Sequence, residues 1–154
     1  TDLVGAELGG ALKNCLAIAA GMADGFGYGD NSKAALLTRG LNEMVEIGKF
    51  YGAEVQTFMG LSGLGDMIVT CTSQHSRNRY VGEQLAKGRT IEDIVSNMKM
   101  VSEGAETIKA LYEIIKINNI KAPIFSALYE VIYKGKPADE LYTVFMTREL
   151  KSEF

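Results

Sequence analysis

The sequence predicts an all-α domain of about eight helices, and three observations carry that prediction. Apolar residues recur at helical spacing over most of the chain, as in Leu8, Leu12, Leu16 and Ala19. No apolar–polar alternation persists beyond a few residues, so no strand is indicated. Residues that start and stop helices divide the chain at short intervals. With 154 residues, 47% hydrophobic and 23% charged, the chain matches an ordinary globular domain. A chain of this size buries roughly 68–70% of its unfolded surface.

The first predicted helix covers residues 3–24. Besides its apolar face it carries a stripe of small residues, Gly9, Gly10, Ala17 and Ala20, around Lys13. Two adjacent glycines inside a helix cost about 1 kcal/mol each relative to alanine. Something therefore approaches that face closely. The plainer reading is a neighbouring helix; the sharper one is a ligand at Lys13, the stripe's only charged group. A glycine-rich turn at residues 25–30 leads to a second helix at 31–51, with Asp30 or Asn31 as N-cap. Its buried face is Leu36, Leu37, Leu41, Met44, Val45 and Gly48.

Gly60, Gly63 and Gly65 break residues 57–72 into short helical turns and loop. A helix starts near Ser76 and stops at Gly88. Thr90-Ile91-Glu92-Asp93 opens the next, its acid three residues after the threonine resembling a capping box. Residues 103–118 are strongly helical. Pro123 suits a first turn and leads a helix that stops at Gly135. Pro137 starts the last short helix.

Composition excludes several chemistries. A net charge of −3 and a pI near 5.2 give no overall basic footprint for nucleic acid or acidic lipid. Cys15 and Cys71 are far apart and form no C-x-x-C, which fits a reducing cytosol better than a disulfide scaffold. His75 is the only histidine, so a multi-histidine metal centre is excluded and no metal is expected. No nucleophile elbow G-x-S-x-G is present. The longest uncharged apolar stretch, residues 15–23, is about half of the roughly 20 needed to span a bilayer, so no membrane insertion is expected. Thr1-Asp2-Leu3 is neither a signal peptide nor a natural start. The expectation is that the chain begins inside a larger protein.

Four motifs bear on chemistry. Gly25-Phe26-Gly27-Tyr28-Gly29-Asp30 suggests a dinucleotide loop, but Asp30 stands where the last glycine is required and an Ala-rich helix precedes it, not a strand. Ser76-Arg77-Asn78-Arg79 stands at a helix start. Orphan N–H groups, polar side chains and a bidentate guanidinium there make an anion site; an ordinary N-cap with two solvated arginines is the plainer alternative. Gly63-Leu64-Gly65-Asp66 places an acid in a glycine-rich bend, and Val101-Ser102-Glu103-Gly104 places one at a helix start.

Together these segments resemble the substrate domain of NAD(P)-dependent glycerol-3-phosphate dehydrogenase, in its bacterial form. The resemblance runs through Glu7-Leu8-Gly9-Gly10-Ala11-Leu12-Lys13-Asn14, Gly29-Asp30-Asn31 and Leu37-Thr38-Arg39-Gly40-Leu41-Asn42-Glu43-Met44. It continues through Thr57-Phe58-Met59-Gly60-Leu61-Ser62-Gly63-Leu64-Gly65-Asp66, Thr70-Cys71, Ser76-Arg77-Asn78-Arg79 and Val101-Ser102-Glu103-Gly104-Ala105-Glu106-Thr107. It covers essentially the whole chain.

The resemblance implies a fold like the C-terminal domain of 6-phosphogluconate dehydrogenase. Residues 1–154 are then a helical substrate-binding and catalytic domain, and an N-terminal Rossmann domain that binds NAD or NADP is absent from this chain. It implies a cytoplasmic enzyme that interconverts sn-glycerol 3-phosphate and dihydroxyacetone phosphate for phospholipid synthesis, and leaves room for a homodimer. On the matching positions Lys13 is the general base, its stripe of Gly9, Gly10 and Ala17 leaving room for substrate and nicotinamide. Asn14, Asp66 and Thr70 hold the substrate's polar groups or orient the lysine. Ser76, Arg77 and Asn78 bind its phosphate. Arg77, Val101 and Glu103 also touch the cofactor. Two alternatives stand beside it: the substrate domain of another two-domain hydroxyacid dehydrogenase, and a helical dimerisation module without binding chemistry.

Overall fold

The computed structural model describes residues 1–98 and 102–146, with backbone only at 145 and 146. Among the described residues it is entirely helical, with nine α-helices and one π-helical turn where the sequence predicts about eight helices.

Helix α1 (Leu3–Gly25) is the axis of the fold. Every residue from 15 to 23 is buried, because alanine and glycine there let neighbouring helices approach the backbone itself. The closest approach is by α5 (Arg77–Ala86). A Cβ on Gly82 would collide with the Ile18 carbonyl, and one on Gly21 with the Arg79 carbonyl. Two glycines thus interlock at one crossing. By length and composition α1 could cross a membrane, although its uncharged run is short; 56% of the relevant window is buried inside the protein, where it serves as the core helix. Its start is capped by Asp2, whose carboxylate accepts N–H groups of Gly5 and Glu54, both at 2.8 Å.

Helix α2 (Asp30–Phe50) begins one residue earlier than predicted. Its N-cap is Gly29, which makes no side-chain bond, so neither Asp30 nor Asn31 is the cap. Asp30 instead sits in the first turn, where the helix dipole favours a negative charge. Glu43, 2% exposed, reaches from α2 to the start of α8 (Pro123–Lys134) and accepts the N–H groups of Ile124 and Phe125 at 2.9 and 3.3 Å. Ala122 provides no side-chain cap there, so this distant carboxylate caps α8.

Residues 55–72 form α3 (Val55–Met59), the π-turn (Leu61–Gly65) and α4 (Asp66–Thr72). Ser76 caps α5, and its hydroxyl accepts the Arg79 N–H at 3.3 Å. Thr90 caps α6 (Ile91–Ser96) through the Asp93 N–H at 3.2 Å, the forward half of the predicted capping box. Helix α7 (Glu103–Ile117) and α8 follow the prediction closely, and Gly135 ends α8 in the left-handed region at φ 67°. The last helix among the described residues, α9 (Glu140–Met146), starts later than predicted. Pro137 belongs to the preceding turn, where its carbonyl accepts the Glu140 N–H at 3.0 Å.

Candidate active site

Contacts between α1, α4, α5 and α7 join Lys13 to Asp66, and Asn14 to Asn78 and Glu103. Gly9, Lys13 and Asn14 lie on α1. The π-turn packs against α1 at Gly9, where a Cβ would stand 2.5 Å from the Ser62 carbonyl oxygen. That contact delivers Asp66, the first residue of α4, to Lys13. Lys13 Nζ forms an ion pair with Asp66 Oδ2, the two side chains 18% and 41% exposed. The pair therefore stands at the edge of the core, reachable from outside. Thr70, one turn along α4, donates its hydroxyl to the Asp66 carbonyl at 2.7 Å.

The small-residue stripe divides in two. Gly9 is covered by the π-turn, and Ala17 and Ala20 are fully buried in helix packing. Only at Gly10 is there open space: apart from its own stretch of helix, no heavy atom lies within 4 Å of the point where a methyl would stand. The expectation that Gly9 and Ala17 leave room for substrate is therefore corrected: protein fills both places, and the room is at Gly10.

Asn14 is held from two sides. Its Nδ2 donates to the Gly10 carbonyl and to Glu103 Oε2, both at 3.2 Å, and its Oδ1 accepts from Asn78 Nδ2 at 3.0 Å. Asn78, in the first turn of α5 and 9% exposed, accepts on Oδ1 from the Ser102 hydroxyl at 2.8 Å and from the Gly104 N–H at 3.0 Å. Its amide is thus committed to the protein, and what it offers an anion is its backbone N–H. The N–H groups of Arg77 and Asn78 precede the first intrahelical bond of α5, as at any helix start.

The two arginines at that start differ. Arg77 is exposed. Arg79 is 16% exposed and bonds Asp24 at 2.6 Å and Glu83 at 2.8 Å, while Lys33 also reaches Asp24 at 2.5 Å. Arg79 is therefore not a solvated arginine; it ties α5 to the end of α1. Glu103 is exposed at the start of α7 and touches the site through Asn14. Val101 lies outside the described residues.

Neither cysteine adds chemistry to this site. Burial pushes the Cys71 thiol up to about 12 and raises Cys15 as well, so neither supplies a thiolate nucleophile. Among the described residues no group of three or more His, Cys, Asp or Glu could hold a metal. Two surface depressions of about 430 and 400 Å³ lie beside α8, and none of Lys13, Asn14, Asp66 and Arg77 lines either one. Sequence reasoning did not single out Ser102 as a site residue. A serine before a helix reads as an N-cap, and nothing local shows that its hydroxyl turns to Asn78 instead.

Comparison with known proteins identifies the family. The family model described as NAD-dependent glycerol-3-phosphate dehydrogenase C-terminus matches residues 2–143. Glycerol-3-phosphate dehydrogenase (NAD(P)+) of Chlorobium phaeobacteroides (strain BS1) is 51% identical over 153 residues, covering 99% of this chain and 46% of that protein. The enzyme of the same name from Staphylococcus carnosus (strain TM300) is 52% identical over 152 residues, with the same coverage. The crystal structure of glycerol-3-phosphate dehydrogenase from Coxiella burnetii superimposes with a TM-score of 0.92 at 32% identity, over 96% of this chain and 46% of the other. The chain thus spans about half the length of the curated relatives it matches. It belongs to the NAD-dependent glycerol-3-phosphate dehydrogenase family and carries that family's C-terminal domain.

Proposed function

We propose that this chain is the substrate-binding and catalytic half of a two-domain, cytoplasmic NAD(P)-dependent glycerol-3-phosphate dehydrogenase. In this reading it acts with an N-terminal Rossmann domain to interconvert sn-glycerol 3-phosphate and dihydroxyacetone phosphate, supplying glycerol 3-phosphate for phospholipid synthesis. The observation that carries it is the Lys13–Asp66 pair beside the open space at Gly10, with Asn14 next to it.

Oxidation of the secondary alcohol requires an acceptor for the hydroxyl proton. Lys13, as the amine, takes that proton and becomes the ammonium that Asp66 is placed to stabilise. In the reverse direction the Lys13 ammonium returns the proton to the forming alkoxide. Both Nδ2 hydrogens of Asn14 are taken by Gly10 and Glu103, so it orients the substrate's hydroxyl through Oδ1, which accepts one bond from Asn78 and has a second lone pair. The start of α5, with Arg77 and the first N–H groups, holds the phosphate. The space at Gly10 would be left for the substrate and the nicotinamide. Bound NAD(P)+ would supply the hydride acceptor, and Arg77, Val101 and Glu103 are the residues of this half that would hold it.

The test is turnover by the full-length protein, followed by NAD(P)H absorbance with glycerol 3-phosphate. Absence of turnover with both nicotinamides overturns the assignment. The chain of residues 1–154 by itself should show a helical circular dichroism spectrum, cooperative melting and no turnover. Clear turnover by that chain alone overturns the two-domain reading.

A further inference from the structure

Two asparagine amides connect three helices beside Lys13, and their orientation is fixed at both ends by backbone. The Gly104 N–H can only donate, so the atom of Asn78 that faces it at 3.0 Å is Oδ1. Nδ2 of Asn78 then faces Asn14 and requires an acceptor, which makes the facing atom Oδ1 of Asn14. Nδ2 of Asn14 is left for the Gly10 carbonyl, which can only accept, and for the Glu103 carboxylate. The chain of polarity closes without conflict.

Ser102 adds the one side-chain hydroxyl to this chain. It occupies the N-cap of α7, where a serine oxygen ordinarily accepts from its own helix, yet it makes no such cap bond. It is 1% exposed and donates to Asn78 Oδ1 at 2.8 Å, across 24 residues of sequence. With the Gly104 N–H it occupies both lone pairs of that oxygen, so the Asn78 amide cannot swing. The start of α7 is also pressed onto the site: a Cβ on Gly104 would stand 2.5 Å from the Asn14 carbonyl oxygen and 3.0 Å from Asn78 Oδ1.

We infer that Ser102 is a positioning residue for the dehydrogenase reaction, holding the Asn78 amide so that Asn78 in turn fixes Asn14 beside Lys13. The inference rests on the function proposed above. Ser102 touches no reacting atom; it acts through Asn78 and Asn14.

The experiment is a double-mutant cycle in the full-length protein, measuring kcat/KM for glycerol 3-phosphate and the melting temperature of each variant. Ser102→Ala should lower kcat/KM by about 3- to 10-fold, the range of one neutral hydrogen bond. In an Asn14→Ala background the same substitution should change kcat/KM by less than about 2-fold, because the residue through which it acts is gone. If Ser102→Ala does not fold, Ser102→Cys, nearly the same shape with a weak donor, carries the same cycle. An equal loss in both backgrounds assigns Ser102 a structural role and overturns the inference. So does an active parent whose Ser102→Ala variant keeps full kcat/KM. A parent with no glycerol 3-phosphate turnover overturns the functional reading, and this inference falls with it.

Discussion

Lys13 on α1 and Asp66 on α4 form an ion pair across 53 residues of chain. It is set by a glycine that neither partner touches in sequence: Gly9 lets the Ser62 carbonyl rest against α1, and the π-turn then places the first residue of α4 at the lysine.

Lys13→Ala in the full-length protein should remove roughly 10²- to 10⁴-fold of kcat, the usual contribution of a general base. The melting temperature should change little, because the pair is partly solvated. Steady-state kinetics beside thermal melting checks this; near-normal turnover would return Lys13 to a purely structural role.

Arg77 and Arg79 should separate cleanly. Arg77→Ala should weaken dihydroxyacetone phosphate by about 10- to 150-fold relative to unphosphorylated dihydroxyacetone, as loss of a charge-assisted bond worth roughly 1.5–3 kcal/mol requires. Arg77→Lys should recover only part, since an ammonium lacks the bidentate fork. Arg79→Ala should leave that ratio unchanged. It should instead cost about 1–2 kcal/mol of stability, because it strips Asp24 and Glu83 of a partner only 16% exposed. Equal losses on both substrates for Arg77→Ala would exclude the phosphate assignment.

The glycines of α1 and α5 should behave in opposite ways. Gly82→Ala drives a methyl into the Ile18 carbonyl and should destabilise by about 1–3 kcal/mol or more, read as a drop in melting temperature. Gly10→Ala meets nothing and should raise stability by about 0.5–1 kcal/mol through helix propensity. Its kcat/KM should nevertheless fall, because the new methyl occupies the open space beside Lys13. A stabilised Gly10→Ala variant with full activity would show that this space is not used.

Asp2 makes a pH-dependent contribution. Its carboxyl is held below the ordinary value of 3.8, first by the Gly5 N–H, then by the Thr57 side chain and the Glu54 N–H. A carboxyl lowered on folding adds stability above its unfolded value and loses it as pH falls through the folded value. Asp2→Ala should therefore melt earlier at pH 7, and the gap from the parent should close as the pH is taken below 3.8. A gap that persists at low pH would mean that the side chain acts by packing and not by its charge.

The positions of most helices were legible in the sequence because their causes are local. Apolar spacing marks the buried stripe, Ser76 and Thr90 cap the helices they precede, and Gly135 ends α8 where a positive φ is required. Errors fell where local signals compete. Asp30 and Asn31 are both good caps, but Gly29 takes the position. Pro137 is as suitable for a turn as for a first helical residue. The resemblance pointed to Lys13, Asn14, Asp66 and Arg77, because those residues lie in uninterrupted motifs.

What the sequence by itself determined is an all-helical domain and its family; it also nominated the side chains proposed to carry a proton and a phosphate. Only the tertiary structure decided what each of them faces. It gave Asn78's amide to Asn14, Ser102 and Gly104, turned Arg79 toward Asp24, covered Gly9 and left Gly10 open. The physical reason is that helix propensity and capping act over a few residues. Hydrogen-bond partners and open space depend on which helices cross and how closely, and here glycine contacts between elements far apart in sequence set those distances.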